Sequence, residues 1–447
     1  MNYIDKKELA LEIDSGASLI IKELENHGFE AFIVGGCVRD SIMKRKPNDW
    51  DITTNARPKD MMKIFKKTIP TGVEHGTVTI MENNVAYEAT TYRIDGQYLD
   101  MRHPEEVKFS KNIIDDLSRR DFTINAMAYN QKTGLVDSFD GIKDIEKKLI
   151  RCVGDPDQRF NEDALRMVRA IRFSAKLGFE IEEKTFNSIL KNSKNIESIS
   201  VERINRELEE IIEYNPLKLE NFNMINLSDY LFGGKSLEMN NIENAYNVES
   251  FINKEKTCKY LDSDDEEKKY KQALKRALIF EDRSKEELSK IMRSLRYSKK
   301  EIEYTIAIHS ILKDEKYELL TENSKDYSHK KLLLKYILRD LKNIYLVKYA
   351  IYSKFIEKNA NPSICFSLFN DIIESGECFS ISQLKLNGRD IIKNDIASGA
   401  QVGKILSGLL EHVIHNPSDN EKDKLLSLAR KAYNYENLEV NLWTISH

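Results

Sequence analysis

The chain has 447 residues, enough for roughly two to four domains and a sizeable core, which excludes a miniprotein held together by disulfides or metal. Hydrophobic residues make up 41% and charged residues 32%, with a formal net charge of −4, so neither disorder nor a general coat for nucleic acid describes the whole. The 5 cysteines (Cys37, Cys152, Cys258, Cys365 and Cys378) are widely spaced and form no CxxC, which points to a reducing cytoplasm rather than a disulfide framework or a thiolate zinc site.

The N-terminal stretch MNYIDKKELALEIDSG carries acids and no apolar core of signal-peptide type, and no segment approaches the roughly 18 uninterrupted apolar residues of a membrane span. A cytosolic protein without a membrane partner is expected. Leu9, Ile13, Ala17, Ile20, Ile21 and Leu24 recur at helical spacing and predict an amphipathic helix over 5–26. A strand follows at 31–34, stopped by Gly35 and Gly36. Short β-rich runs at 50–53, 77–81, 86–92, 107–109 and 135–137, with helices near 38–45 and 58–66, predict one α/β domain over residues 1–147. From Asp155 onward the texture becomes helical to the end, with soft boundaries near 210, where ERINRELEEIIEYNP ends in proline, and near 345. Residues 261–275 place acids before bases and read as a solvated helix. No solenoid period recurs, and none of the 8 histidines forms an adjacent His-Asp pair of the phosphohydrolase type.

The strongest constellation is AFIVGGCVRDSIMKRKPNDWDIT, residues 31–53. A strand that runs through Gly35 and Gly36 into a helix presents free backbone N–H groups and a positive dipole end, which suit a phosphate. Arg39, in the first helical turn, suits a phosphate oxygen. Asp49 and Asp51 flank Trp50, and i, i+2 spacing on a strand puts both carboxylates on one face. Two hard carboxylates beside a phosphate cradle describe a magnesium site. Alone, Gly-Gly is a turn and Asp-x-Asp a polar loop; together they resemble the signature of the polymerase β-like nucleotidyltransferase superfamily, whose aspartates hold magnesium. A third carboxylate is expected from a neighbouring strand, and Glu88 in VAYEATTYR is the candidate, with an exposed strand glutamate as the plain alternative.

In DDLSRRDFTINAMAY, residues 115–129, two arginines and an aspartate enter an otherwise apolar run read as helical, which is costly without partners. Arg120 is the candidate triphosphate contact, and Asp121 and Asn125, four apart on one helical face, suit the ribose or the neighbouring loop. A structural ion pair within Arg119, Arg120 and Asp121 explains the same residues. In DPDQRFNEDALRMVRAIRFSAKLGF, residues 155–179, Asn161 is expected to cap a helix whose edge carries Asp163 and then Arg166, Arg169 and Arg172 at i+3 spacing. If Asp163 accepts and Arg166 donates, that edge matches cytosine and adenine, which offer an amino donor next to a ring acceptor. Guanine and uracil present the reverse order, and each group left unpaired costs about 1 to 3 kcal/mol.

With GGCVRD, DWD, TTYRIDGQYLDMRHPEEVKF, RRDFTINAMAY, RFNEDALRMVRAIRF and ISVERINRELEEI in place, the chain resembles the class II tRNA nucleotidyltransferases, the CCA-adding enzymes, and the related bacterial poly(A) polymerases over about residues 31–210. The resemblance implies an α+β protein: a nucleotidyltransferase head with a mixed sheet and flanking helices over 1–147, a helical neck over 148–210 that reads the base, a helical body over 211–345 and a helical tail over 346–447 that binds tRNA. It implies magnesium on Asp49 and Asp51 with Glu88 assisting, nucleotide contacts at Gly35, Gly36, Arg39, Arg120, Asp121, Asn125, Asp163, Arg166, Arg169 and Arg172, and the tRNA 3′ end, ATP and CTP as partners, with a homodimer left open. Residues 92–104 look like the loop used in switching from C to A addition. Lys385, Arg389, Lys393 and Lys404 of the tail suit RNA phosphates or a solvated surface. The expected activity is magnesium-dependent, template-independent addition of C, C and A to tRNA; A-only addition, poly(A) synthesis and a catalytically silent RNA-binding module are the alternatives, the last opposed by the intact carboxylate pair.

Overall fold

A computed structural model describes residues 3–4, 10–96, 107–255, 257–259, 264–322 and 326–436. Contacts divide the chain into two units, Met1–Ser236 and Leu237–His447. In chain order the first unit opens with β1 (Tyr3–Ile4), α1 (Ser15–Asn26), β2 (Ala31–Val34), α2 (Gly36–Ile42), β3 (Ile52–Thr54), α3 (Pro58–Ile64), β4 (Thr68–Gly72), β5 (Thr77–Glu82), β6 (Val85–Thr91), β7 (Arg93–Asp95) and β8 (Val107–Phe109). It continues with α4 (Ile113–Ser118), β9 (Met127–Asn130), β10 (Gly134–Asp137) and α5 (Gly141–Lys147). Eight strands form one mixed sheet in the order β1-β10-β9-β2-β3-β6-β5-β4, in which only β3 and β6 run parallel, and β7 and β8 form a separate antiparallel pair.

Alternation along the strands gives the sheet two different faces. Ala31, Ile33, Ile52, Ala89 and Met127 join a core with Ile20 and Leu24 of α1 and Cys37 and Val38 of α2. Phe32, Val34, Ala128 and Val136 point the other way, against Ile113 and Leu117 of α4. Asp51 and Glu88, each one residue before Ile52 and Ala89, fall on this second face.

Several elements differ from the expectation. Helix α1 starts at Ser15 because Asp14 accepts from the N–H groups of Gly16 and Ala17 and caps it there; Leu9 lies outside the described residues, as do residues 97–104 of the expected switching loop and 261–263 of the charged helix. Strand β4 contains Pro70, which a central strand would not tolerate; it sits at the sheet edge with a register shift beside that proline. Strand β9 is buried at all four positions, so it shows no alternation and reads as part of an apolar helical run.

The first unit is completed by β11 (Leu149–Ile150), α6 (Pro156–Glu162), α7 (Leu165–Leu177), β12 (Glu180–Ile181), α8 (Glu183–Asn192), α9 (Val201–Tyr214), α10 (Glu220–Met224) and α11 (Leu227–Leu231), with α7 packed along α9. The two-residue strands β11 and β12 pair in parallel inside a region read from sequence as wholly helical. Asn161 does not cap: α6 is capped by Asp155, and Asp163 stands between α6 and α7, its Oδ1 accepting from the N–H of Leu165 at 3.1 Å.

Regular structure in the second unit is helical among the described residues: α12 (Met239–Lys254), α13 (Asp264–Ile279), α14 (Lys285–Ser294), α15 (Lys299–Lys313), α16 (Tyr327–Leu341), α17 (Ile344–Glu357), α18 (Ser363–Ser375), α19 (Gly388–Lys393), α20 (Ala400–His415) and α21 (Lys422–Glu436). Helices α12, α13, α15 and α17 pack together, and Leu386, Ile391, Leu409, Val413, Leu425 and Ala429 form a separate core near the C-terminus. No described helix is long and apolar enough to cross a membrane.

Candidate active site

Asp49 and Asp51 lie in the approach to β3 rather than within it, but the ladder reaches Asp51: the N–H of Val34 donates to its carbonyl at 3.0 Å. The register pairs Ile52 with Ala89 on the neighbouring parallel strand, so Asp51 and Glu88, each one residue earlier, share a face. Tyr87 and Ala89 are buried on the opposite face while Glu88 is exposed. Burial, together with the charges of Asp49 and Glu88, pushes the Asp51 carboxyl up to about 6 against the opposing pull of Arg120. This crowd of hard oxygen donors fits a divalent cation. Among the described residues no group of three or more His, Cys, Asp or Glu side chains is gathered closely enough to hold a metal ion by itself, so a cation here would need water and substrate phosphate as further ligands.

Arg120 sits over the glycine turn. Gly35 has φ +81°, which an ordinary residue adopts only under strain, and a Cβ there would stand 2.9 Å from Nη1 of Arg120, which would have to swing aside. Nη2 of Arg120 donates to Asp116 at 3.3 Å. Asp116 is fully buried, accepts two hydrogen bonds from Arg119 at 3.0 and 2.7 Å, and accepts one from Thr53 Oγ1 at 3.2 Å. Burial pushes its carboxyl up, but Arg119 and Arg120 hold it below the ordinary aspartate range. Asp116 thus ties the triphosphate candidate to β3; its i+3 and i+4 spacing to Arg119 and Arg120 lies in the sequence, whereas its contact with Thr53 does not.

The remaining candidates form a chain of contacts. Arg39 is buried; it grips Asp40, and its Nη1 donates to Asn125 Oδ1 at 2.6 Å. Asn125 in turn donates to Asp121 at 3.1 Å. These two are brought together not by a helical face, as the spacing suggests, but by the loop after α4 and a short 3-10 turn at Thr123–Asn125. Asp121 receives Nε and Nη2 of Arg169 at 3.0 and 2.7 Å. Burial pushes the Asp121 carboxyl up, but Arg169, with the hydrogen bonds of Asn125 and the Phe122 N–H, holds it at about 2. Arg172 donates to Glu207 of α9 at 2.8 Å, and Glu207 also lies 3.6 Å from Arg169. Asp163 pairs with Arg203 of α9 at 2.8 Å, while Arg166 donates to Glu162 at 2.6 Å and to the carbonyls of Arg159 and Arg119, each at 3.1 Å. Glu207 and Arg203 went unmarked in the sequence reading. Their signal is that the basic series of α7 is followed, in α9, by acids at matching spacing, with Arg172 and Lys176 meeting Glu207 and Glu210 in the same order.

A model of the Poly A polymerase head domain matches residues 31–151, and one described as a probable RNA and SrmB-binding site of polymerase A matches residues 178–218. The CCA-adding enzyme of Ligilactobacillus salivarius is 33% identical over 419 residues, which is 92% of this chain and 95% of that enzyme. The chain belongs to the CCA-adding enzymes. A second CCA-adding enzyme, from Limosilactobacillus fermentum, is 49% identical over 193 residues, 43% of this chain and 48% of that one. Among solved structures, the CCA-adding enzyme of Bacillus stearothermophilus in complex with CTP aligns with a TM-score of 0.76 at 26% identity, covering 95% of this chain and 98% of that one. The Thermotoga maritima CCA-adding enzyme in complex with tRNA aligns with a TM-score of 0.66 at 20% identity over 94% and 96% of the two chains, and so shares the fold. Membership of the CCA-adding enzymes makes the chain a nucleotidyltransferase whose mixed-sheet head is followed by helices.

Proposed function

We propose that this chain adds C, C and A in turn from CTP and ATP to the 3′ end of tRNA, releasing pyrophosphate, with Asp49 and Asp51 holding magnesium and Glu88 assisting. The observation that carries the assignment of these residues is the half-buried Asp51 carboxyl, crowded by Asp49 and Glu88 on the sheet face that Arg120 overlooks. Magnesium bound there supplies activation of the attacking hydroxyl and neutralisation of phosphate charge. The protein's part is positioning: Gly35 and Gly36 leave room for phosphate, Arg120 binds it beside the carboxylates, and Arg39, Arg169 and Arg172 complete the cationic wall. Asp163 and Arg166 read the base edge, with Asp121 and Asn125 holding Arg169 and Arg39 in place. In this reading residues 1–147 do the chemistry, 148–210 select the base, and the helical regions 211–345 and 346–447 hold tRNA in a cytosolic enzyme.

Asp49→Ala or Asp51→Ala should abolish nucleotide incorporation while the thermal midpoint stays near that of the wild type. Wild-type-like turnover in either variant would remove the metal assignment. A tRNA transcript lacking CCA, offered CTP alone, ATP alone and both, should gain the full triplet only with both; long A tracts with ATP alone would indicate poly(A) synthesis instead.

A further inference from the structure

Three of the arginines of this site surround one phenyl ring. The guanidinium carbons of Arg172, Arg39 and Arg169 lie 3.7, 5.4 and 5.4 Å from the centroid of Phe173. Phe122 meets the same ring edge-on, with centroids 5.7 Å apart. Phe173 is only 5% exposed, so its π face acts in a largely dehydrated setting, where attraction to a cation is strongest. Arg39 comes from α2, whereas Arg169 and Arg172 come from α7, so the ring joins cations of two elements. Like charges gathered in so small a volume repel, and each arginine has a polar partner that fixes one of its edges: Asp40 and Asn125 for Arg39, Asp121 for Arg169, Glu207 for Arg172. Phe173 is common to all three.

We propose that Phe173 is a positioning residue for the nucleotide: its π face holds the guanidinium groups of Arg39, Arg169 and Arg172 in the arrangement that receives the triphosphate. The inference rests on the reading that these arginines contact the nucleotide. It predicts an effect on nucleotide affinity that depends on the electron density of the ring and not on its volume, because a cation is drawn to the ring's quadrupole while packing responds to shape.

The test uses the full chain with magnesium and a tRNA transcript lacking CCA. Phenylalanine at 173 is replaced by its mono-, di- and trifluorinated analogues, which keep the ring's size while draining its π face. KM for CTP and for ATP should climb stepwise to about tenfold, the scale of a few cation–π contacts, with kcat within about twofold and the thermal midpoint little changed. Phe173→Leu should raise both KM values at least as much; should that variant fail to fold, the fluorinated series still decides. Arg169→Gln provides the control for the underlying reading. If it leaves KM for CTP unchanged, the arginine wall is not a nucleotide contact; if it raises KM while the fluorinated series stays flat, Phe173 is a packing residue only and the proposal falls.

Discussion

Asp121 shows how one carboxylate connects the loop after α4 to α7. Its oxygens are shared between Arg169, Asn125 and the Phe122 N–H, and its folded-state pKa of about 2 lies below the roughly 3.9 of an unfolded aspartate. A depressed pKa stabilises the fold wherever the unfolded group is already ionised, and that contribution fades as pH falls through the folded value. The stability gap between the wild type and Asp121→Asn should therefore be constant from neutral pH down to about 5, on the order of 2 kcal/mol, and shrink from about 4 towards 2. Urea unfolding at a series of pH values measures it, and a gap that widens on acidification would contradict the assignment. Asp51 is the opposite case: burial and two neighbouring carboxylates push it upward to about 6. The two aspartates are of one residue type, and their environments set them apart by what lies within a few ångströms.

At the scale of elements, the pair α7 and α9 carries the edge proposed to read the base. Asp163 with Arg203, Arg172 with Glu207 and Lys176 with Glu210 pair in sequence order along the two helices, so α9 braces the edge that the spacing of α7 alone displays. Arg166→Ala should lower discrimination against GTP and UTP by about tenfold to a hundredfold, the cost of one unpaired polar group, as measured by kcat/KM for each nucleotide. Unchanged selectivity would take Arg166 out of that role. The strands were less legible than the helices. Strand β4 was hidden by Pro70, which an edge position accommodates, and β9 by complete burial, which erases the period of two that marks a strand.

For the whole molecule, charge is balanced in sum and sorted in space. Residues 1–210 hold 33 basic and 37 acidic residues, so the half with the active site is not basic overall. The arginines of α7 are matched by Asp121, Glu162 and Glu207, so these cations are already paired within the protein and add little to general contact with RNA. KM for tRNA should therefore rise only shallowly with salt, with a log–log slope smaller in magnitude than about 5, equivalent to fewer than roughly six phosphate contacts. A steeper slope, measured with the transcript between low and physiological salt, would show a larger electrostatic footprint.

Contiguous motifs determined the parts of this protein that depend on local spacing. The glycine turn, the DWD carboxylates and the arginine series of residues 166–172 each lie within a few turns of chain, where the geometry of a strand or helix converts sequence spacing into spatial spacing. The tertiary structure decided which groups those side chains meet. Asp116 against Thr53, Glu207 beside Arg172 and Arg39 over the ring of Phe173 arise where α4, α9 and α2 pack against distant partners. Such contacts depend on the docking of separate elements, and a buried charge or ring finds its partner across tens of residues, a distance over which spacing carries no information.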